Sequence, residues 1–259
     1  MSHIIAAMGK IETPGAAAIA ADRLARVDLA AAFRLAVRME MHEGVCNHFT
    51  LMLPDGQRFL LNAYGLHWSE VTASNLLALD TRGNVLEGEG EAEKTAFYIH
   101  SRIHLAHPRA ACVLHTHMPY ATALTLTVPG RLEMVEQNAL RFADDIAYDD
   151  SYNGLVVDDA EGDRLARLLG DKRVLFLANH GVIVVGATVA EAFDSLYYLE
   201  RACRVQVLAR ATGLPLRPVR PEVVRETYRM ILADTPKYAG AHFGALRRIL
   251  DREEPDYAR

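Results

Sequence analysis

Three histidines have the type and placement to hold a metal ion. His115 and His117 close the apolar run Ala110–Leu114 in the order His-Thr-His. Side chains alternate along a β-strand, so residues i and i+2 share a face. Two imidazoles on one face, where a strand leaves the core, can converge on one cation, and neutral imidazole is a common ligand for borderline divalent metals. Taken alone, the pair is also compatible with two half-buried rings that each find a separate hydrogen bond. His180 shifts the balance. It too ends an apolar run, Val174–Ala178, and the Gly181 behind it permits a sharp break in the chain. Three imidazoles plus an open position are the composition of a catalytic rather than a structural zinc-type site.

The other histidines of the 11 carry weaker signals. His100 and His104 are one helical turn apart ahead of Pro108, without the glutamate of a helical HExxH site, and read as core or supporting residues. His48 and His67 lie in loop-like contexts that can face a cleft. Tyr120, three residues after His117, and Glu136 with Gln137 are further candidates to reach the site, against the plainer readings of a packed aromatic and a solvated face. Gly88–Glu93 (GEGEAE) lacks the third glycine of a dinucleotide fingerprint and is crowded with acids, so no nucleotide site is expected there.

These residues must be placed by ordinary elements. Asp28–Met41 has helical apolar spacing, with Asp28 as the expected N-cap and Gly44 past the end. His48–Pro54 and Arg58–Gly65 flank Pro54-Asp55-Gly56 and form a hairpin. Asn75–Gly88 repeats the pattern around Arg82-Gly83-Asn84. A helix is expected from about Ala92 to Ala106, stopped by Pro108, then a strand over Ala110–His117 and another helix from Tyr120. Asp145–Tyr152 reads as irregular with a short strand, and Glu161–Asp171 as a helix. Arg173–Gly186 is a pair of buried strands broken at Asn179-His180-Gly181. A long helix from about Val189 to Ala211 follows Thr188 as its cap. The resulting division is a flexible lead-in at 1–27, one α/β domain at 28–213, and a helical C-terminal extension at 214–259.

Composition narrows the class. The chain has 259 residues, 51% of them hydrophobic, enough for a large core. Its 33 acidic and 28 basic residues leave a net charge of -5 and no dense basic stripe, which argues against nucleic acid. No run approaches the ~20 apolar residues of a membrane span. The small apolar stretch Ala16–Ala21 ends at Asp22 and follows Lys10, Glu12 and Pro14, so no secretory signal is expected. Cys46, Cys112 and Cys203 form no CxxC pair; reduced cysteines in a cytoplasmic protein are expected.

Four blocks in order, Asn47–Pro54 (NHFTLMLP), Asn62–Asp80 (NAYGLHWSEVTASNLLALD), His107–Leu124 (HPRAACVLHTHMPYATAL) and Asn179–Gly186 (NHGVIVVG), make the chain resemble the class II aldolase/adducin family over roughly Asp28–Gly213. The resemblance implies a three-layer α/β/α fold with a central, largely antiparallel sheet, and a homo-tetramer with active sites near subunit interfaces. It also implies one divalent metal per subunit on His115, His117 and His180, with zinc as the first expectation and manganese or iron as alternatives. In sugar-phosphate aldolases of this family the metal polarises the carbonyl and enediolate oxygens. Carbon–carbon cleavage beside a carbonyl leaves a carbanion whose charge a divalent cation can hold.

Asn47 matches the asparagine of the substrate-binding loop. Other positions depart from the pattern. The family's acid/base glutamate falls on Ala96, its phosphate-holding Ser-Ser pair on Lys94-Thr95, and its Thr-Gly pair on Tyr64-Gly65. Glu93, about one turn earlier, is the replacement candidate, with Gly65, Lys94 and Thr95 as substrate-binding candidates. These blocks look closer to the adducin-like branch. The expected function is a metal-dependent lyase acting on a small hydroxy- or oxo-acid or sugar derivative, by retro-aldol cleavage or decarboxylation. The alternatives are a non-catalytic adducin-like interaction module and a three-histidine non-haem iron oxygenase.

Overall fold

The computed structural model describes residues 15–259. The first part of the expected lead-in, 1–14, lies outside the described residues. Helix α1 spans Ala16–Arg38, which corrects the expected start at Asp28. Alanine is the strongest helix former, and the alanines of 16–21 carry the helix back past Asp22. Asp28 therefore sits mid-helix and does not cap; its carboxylate accepts from Arg247, 2.5 Å away.

The strands are β1 (His48–Met52), β2 (Arg58–Leu61), β3 (Leu77–Asp80), β4 (Val85–Glu87), β5 (Cys112–Thr116), β6 (Ile146–Asp149), β7 (Val174–Leu177) and β8 (Gly181–Gly186). They form one sheet in the order β4-β3-β2-β1-β5-β8-β7-β6. Every neighbouring pair is antiparallel except β6 with β7. The irregular segment around Asp145 thus supplies a parallel edge strand. Helices α2 (Lys94–Ala106), α3 (Pro119–Thr125), α4 (Asp159–Leu169), α5 (Val189–Arg210) and α6 (Pro221–Glu253) complete the chain. Thr188 caps α5, accepting from the Glu191 amide.

Alternation sorts the central strands into two faces. Phe49, Leu51, Cys112, Leu114, Val182 and Val184 pack with residues of α1 and α5. Val113, Ile183, Val185 and Leu175 pack with Ile99 and Ile103 of α2 and Leu165 and Leu169 of α4. The result is the expected three-layer α/β/α fold. The first face is anchored by Phe33, Phe49 and Trp68, whose ring centroids are 4.6–5.0 Å apart. The chain end is tied in as well. Ala73 and Ser74 donate backbone hydrogen bonds to Tyr257 and Arg259, and Arg34 reaches Glu254, Asp256 and the Val71 carbonyl. No described helix is long and apolar enough to cross a membrane.

Candidate metal centre

The β5–β8 pair builds the site at one end of the sheet. His115, the penultimate residue of β5, pairs with Ile183 of β8 on one side and His48 of β1 on the other. His117 lies just past the strand, on the face that alternation assigns to His115. His180 is the last residue of the β7–β8 turn, in which Asn179 takes a left-handed φ of 58°. One nitrogen from each ring falls within 4.8 Å of the other two. The ring centroids are 4.7–5.0 Å apart.

Hydrogen bonds decide which nitrogens face inward. His115 Nδ1 donates to the Val182 carbonyl at 3.0 Å, and His117 Nδ1 donates to Glu43 Oε2 at 2.5 Å. Each contact turns the Nε2 lone pair of its ring toward the cluster. His117 Nε2 is buried without a protein partner, and a buried polar atom is normally satisfied. Burial, reinforced by His180 and the other neighbouring rings, holds His115 well below its ordinary pKa. Burial also lowers His180 to about 4, aided by His117 and opposed by Glu43. Two imidazoles held neutral by burial, an unpartnered inward nitrogen on the third and a carboxylate behind that ring suit a divalent cation.

Glu43 was missed by the sequence reading. It lies in an exposed loop ahead of β1, and no spacing rule joins it to His117, 74 positions away. A carboxylate behind a ligating imidazole orients the ring and raises its basicity, and loss of such a partner costs roughly 10–100-fold in metal affinity. Glu43→Gln should weaken zinc binding by about that factor, measured by competition with a chromophoric chelator; unchanged affinity would remove Glu43 from the site.

Asn47 takes a left-handed φ of 72° and accepts from the His117 amide at 3.1 Å through Oδ1. Its Nδ2 is buried without a partner and is free for a ligand. Gly181 is required by close approach rather than by φ. A Cβ there would sit 2.6 Å from the Thr116 carbonyl oxygen and 2.8 Å from His117 Cδ2, and neither can retreat without moving a strand end or a ring. Gly181→Ala should cost about 1–3 kcal/mol of stability, read as a lower urea midpoint in the metal-free protein.

Glu93 is the N-cap of α2. Its Oε2 accepts from the Ala96 amide at 2.7 Å and, in a very short contact, from the Thr95 hydroxyl. Burial pushes its carboxyl upward, but the hydrogen bonds from Thr95 and Ala96 outweigh that and leave it lowered. Ala96 is fully buried against a cluster that includes Phe59, Leu61 and Leu79. Lys94 is exposed and Thr95 half-buried at the start of α2. Gly65 is exposed on a neighbouring loop, joined to this region where the Tyr64 amide donates to the Glu91 carbonyl. Two further candidates are placed elsewhere. Glu136 caps the turn at Asn138 and Ala139, and the half-buried Tyr120 side chain packs against the main core with Arg204 over its ring. His48 belongs to β1 rather than to a loop, and His67 caps the short helix Trp68–Glu70. A cavity of about 470 Å³ lined by His107, Arg109, Lys172 and Glu191 lies at the far end of the β5–β8 pair and contains none of the triad.

The family model for the class II aldolase and adducin N-terminal domain matches residues 27–207. This chain belongs to that family. It is 36% identical over 244 residues to a Caulobacter vibrioides protein whose name assigns it provisionally to the class 2 aldolases, covering 90% of this chain and 91% of the other. It is also 36% identical over 199 residues to mouse (Mus musculus) alpha-adducin, covering 74% of this chain and 27% of adducin. Among solved structures, an aldolase II superfamily protein from Pseudomonas syringae superposes with a TM-score of 0.87 at 34% identity, covering 92% and 96% of the two chains. An L-fuculose 1-phosphate aldolase from Glaciozyma antarctica superposes with a TM-score of 0.83 over 96% and 97% at 24% identity, a likeness of fold.

Proposed function

We propose that this class II aldolase/adducin family member is a divalent-metal-dependent lyase that cleaves a carbon–carbon bond in a small hydroxy- or oxo-acid or sugar derivative. The observation that carries the reading is the inward convergence of His115, His117 and His180 with a buried, unpartnered Nε2 on His117. A divalent ion held there, zinc by preference and manganese or iron as alternatives, supplies Lewis acidity to a carbonyl oxygen beside the breaking bond. His115, His117 and His180 would hold it, the first two through Nε2, with Val182 and Glu43 fixing their rings. Asn47 holds the His117 backbone and offers Nδ2 to substrate. Glu93 is the candidate acid/base group, its second carboxylate oxygen being free of the cap. A phosphorylated substrate is disfavoured, because Lys94-Thr95 and Tyr64-Gly65 stand where the family's phosphate-holding residues fall. A cytoplasmic homo-oligomer, a tetramer by family resemblance, completes the reading; free thiols at Cys46, Cys112 and Cys203 support that compartment.

The test is metal analysis of the purified protein followed by an aldehyde- and CO2-detecting screen of hydroxy- and oxo-acids with zinc, manganese or iron. Metal-dependent product release is expected. A protein that takes up none of these ions would overturn the reading. A second reading, a non-catalytic interaction module, is favoured by Ala96 and by the likeness to adducin. Metal uptake without turnover, together with stoichiometric capture of a protein partner, would select it. Iron-dependent oxygen consumption would instead select an oxygenase.

A further inference from the structure

Between β1 and α2, four buried side chains form an unbroken hydrogen-bonded chain that ends beside the metal triad. His104 Nδ1 bonds the Ala110 carbonyl oxygen at 2.7 Å, and His104 Nε2 bonds Thr50 Oγ1 at 2.8 Å. Thr50 Oγ1 bonds His100 Nδ1 at 2.7 Å, and His100 Nε2 bonds His48 Nδ1 at 2.8 Å. The His48 ring packs on His115, centroids 4.9 Å apart. Alternation puts His48 and Thr50 on one face of β1, and helical spacing puts His100 and His104 on the facing side of α2.

The chain has a direction, because a carbonyl oxygen only accepts. His104 therefore donates from Nδ1, and as a neutral imidazole it must accept at Nε2. Thr50 has one hydroxyl proton, which goes to His104, so its oxygen accepts from His100 Nδ1. His100 Nε2 then carries a lone pair and accepts from His48 Nδ1. Burial keeps both His100 and His104 neutral, as the assignment requires. The last atom, His48 Nε2, is left with a lone pair.

We propose that the chain Ala110–His104–Thr50–His100 locks His48 in its Nδ1–H tautomer, so that His48 Nε2 is a fixed hydrogen-bond acceptor for a substrate hydroxyl beside the metal triad. The proposal rests on the lyase reading only for its ligand class. A hydroxylated acid or carbonyl compound that reaches the triad through its oxygens would place an O–H where this acceptor can take it. A substrate lacking the hydroxyl would cover this acceptor without pairing it, which site chemistry of this kind rejects. Thr50, His100 and His104 are positioning residues that act through His48; buried polar side chains of this number are worth keeping only when every one is satisfied.

The tautomer is read directly from nitrogen chemical shifts in a 15N-histidine spectrum of the zinc-loaded protein. The expected His48 pattern is a protonated Nδ1 and an unprotonated Nε2. Thr50→Val keeps the β-branched shape and removes the hydroxyl, so His48 should show mixed tautomers. Glycolate and acetate are the probes. Because mixed tautomers leave the acceptor form only partly populated, the advantage of glycolate over acetate should shrink about two- to tenfold in Thr50→Val, the upper end being the value of roughly one hydrogen bond, while acetate affinity holds. An Nε2–H tautomer of His48 in the wild-type protein overturns the proposal, and so does an unchanged glycolate-to-acetate ratio in Thr50→Val. The wild-type spectrum requires neither turnover nor the variant. The expected spectrum in a protein inactive on every lyase substrate would support this chain and count against the lyase reading alone.

Discussion

His117→Ala should strip the protein of most of its metal. The remaining pair, His115 and His180, would bind a divalent ion with water completing the shell, and a two-ligand site is a weak chelator. The loss should exceed the ~10–100-fold effect of removing a supporting partner, and so exceed that of Glu43→Gln. His117 is also the ring with the clearest unmet need: its Nε2 is buried with no protein partner while its Nδ1 is spoken for by Glu43. Alanine removes the ring but keeps the amide that Asn47 accepts from, so the loop should hold. Competitive chelator titration with matched circular dichroism checks this; native-like metal occupancy in His117→Ala would take that histidine out of the ligand set.

Acid should unfold the metal-free protein well above the pH at which carboxylates alone would do so. His104 is lowered by burial to about 4, against the opposing hydrogen bond to Ala110. His48 is lowered by burial to about 3, and His100 lies well below its ordinary value for the same reason. Unfolded histidines take up a proton near 6.5. Because the folded values lie below the unfolded one, the unfolded state binds more protons throughout the interval between them. Stability is therefore complete above about pH 6.5 and falls as the pH drops toward 4. Each pH unit between the unfolded and folded values is worth ~1.4 kcal/mol, so His104 alone accounts for about 3 kcal/mol by the bottom of that window. Urea midpoints of chelator-treated protein at several pH values between about 7.5 and about 4.5 should decline steadily. His104→Gln, which removes one titrating group, should flatten the decline, and a pH-independent midpoint would contradict the account.

Much of the architecture could be read along the chain because it is encoded locally. Pro54-Asp55-Gly56 and Arg82-Gly83 announce their hairpins, Pro108 marks the end of α2, and Thr188 caps α5. Alternation over Cys112–Thr116 predicted which residues share a face. Local rules failed where a local signal had a distant use. Asp28 looked like a helix cap because its carboxylate is a good one, but Arg247 claims it from the far end of the chain. His48 looked like a loop residue because a single histidine at the start of a short strand carries no periodicity. Glu136 is legible only as a candidate for the cleft set against a solvated face, and its carboxylate instead caps a turn.

Sequence by itself determined the kinds of groups at the site: two imidazoles two residues apart at a strand end, a third before a glycine, and an alanine where the family has its glutamate. Those are statements about type and short-range spacing, which covalent geometry turns directly into shared faces. Only the tertiary structure decided that Glu43 stands behind His117, that Asn47 holds the His117 amide, and that Thr50 joins two helix histidines to His48. Each of these contacts crosses 50 or more residues of chain. They exist because β1 lies beside β5 and beneath α2, and no local preference of a residue specifies which distant strand or helix will be its neighbour.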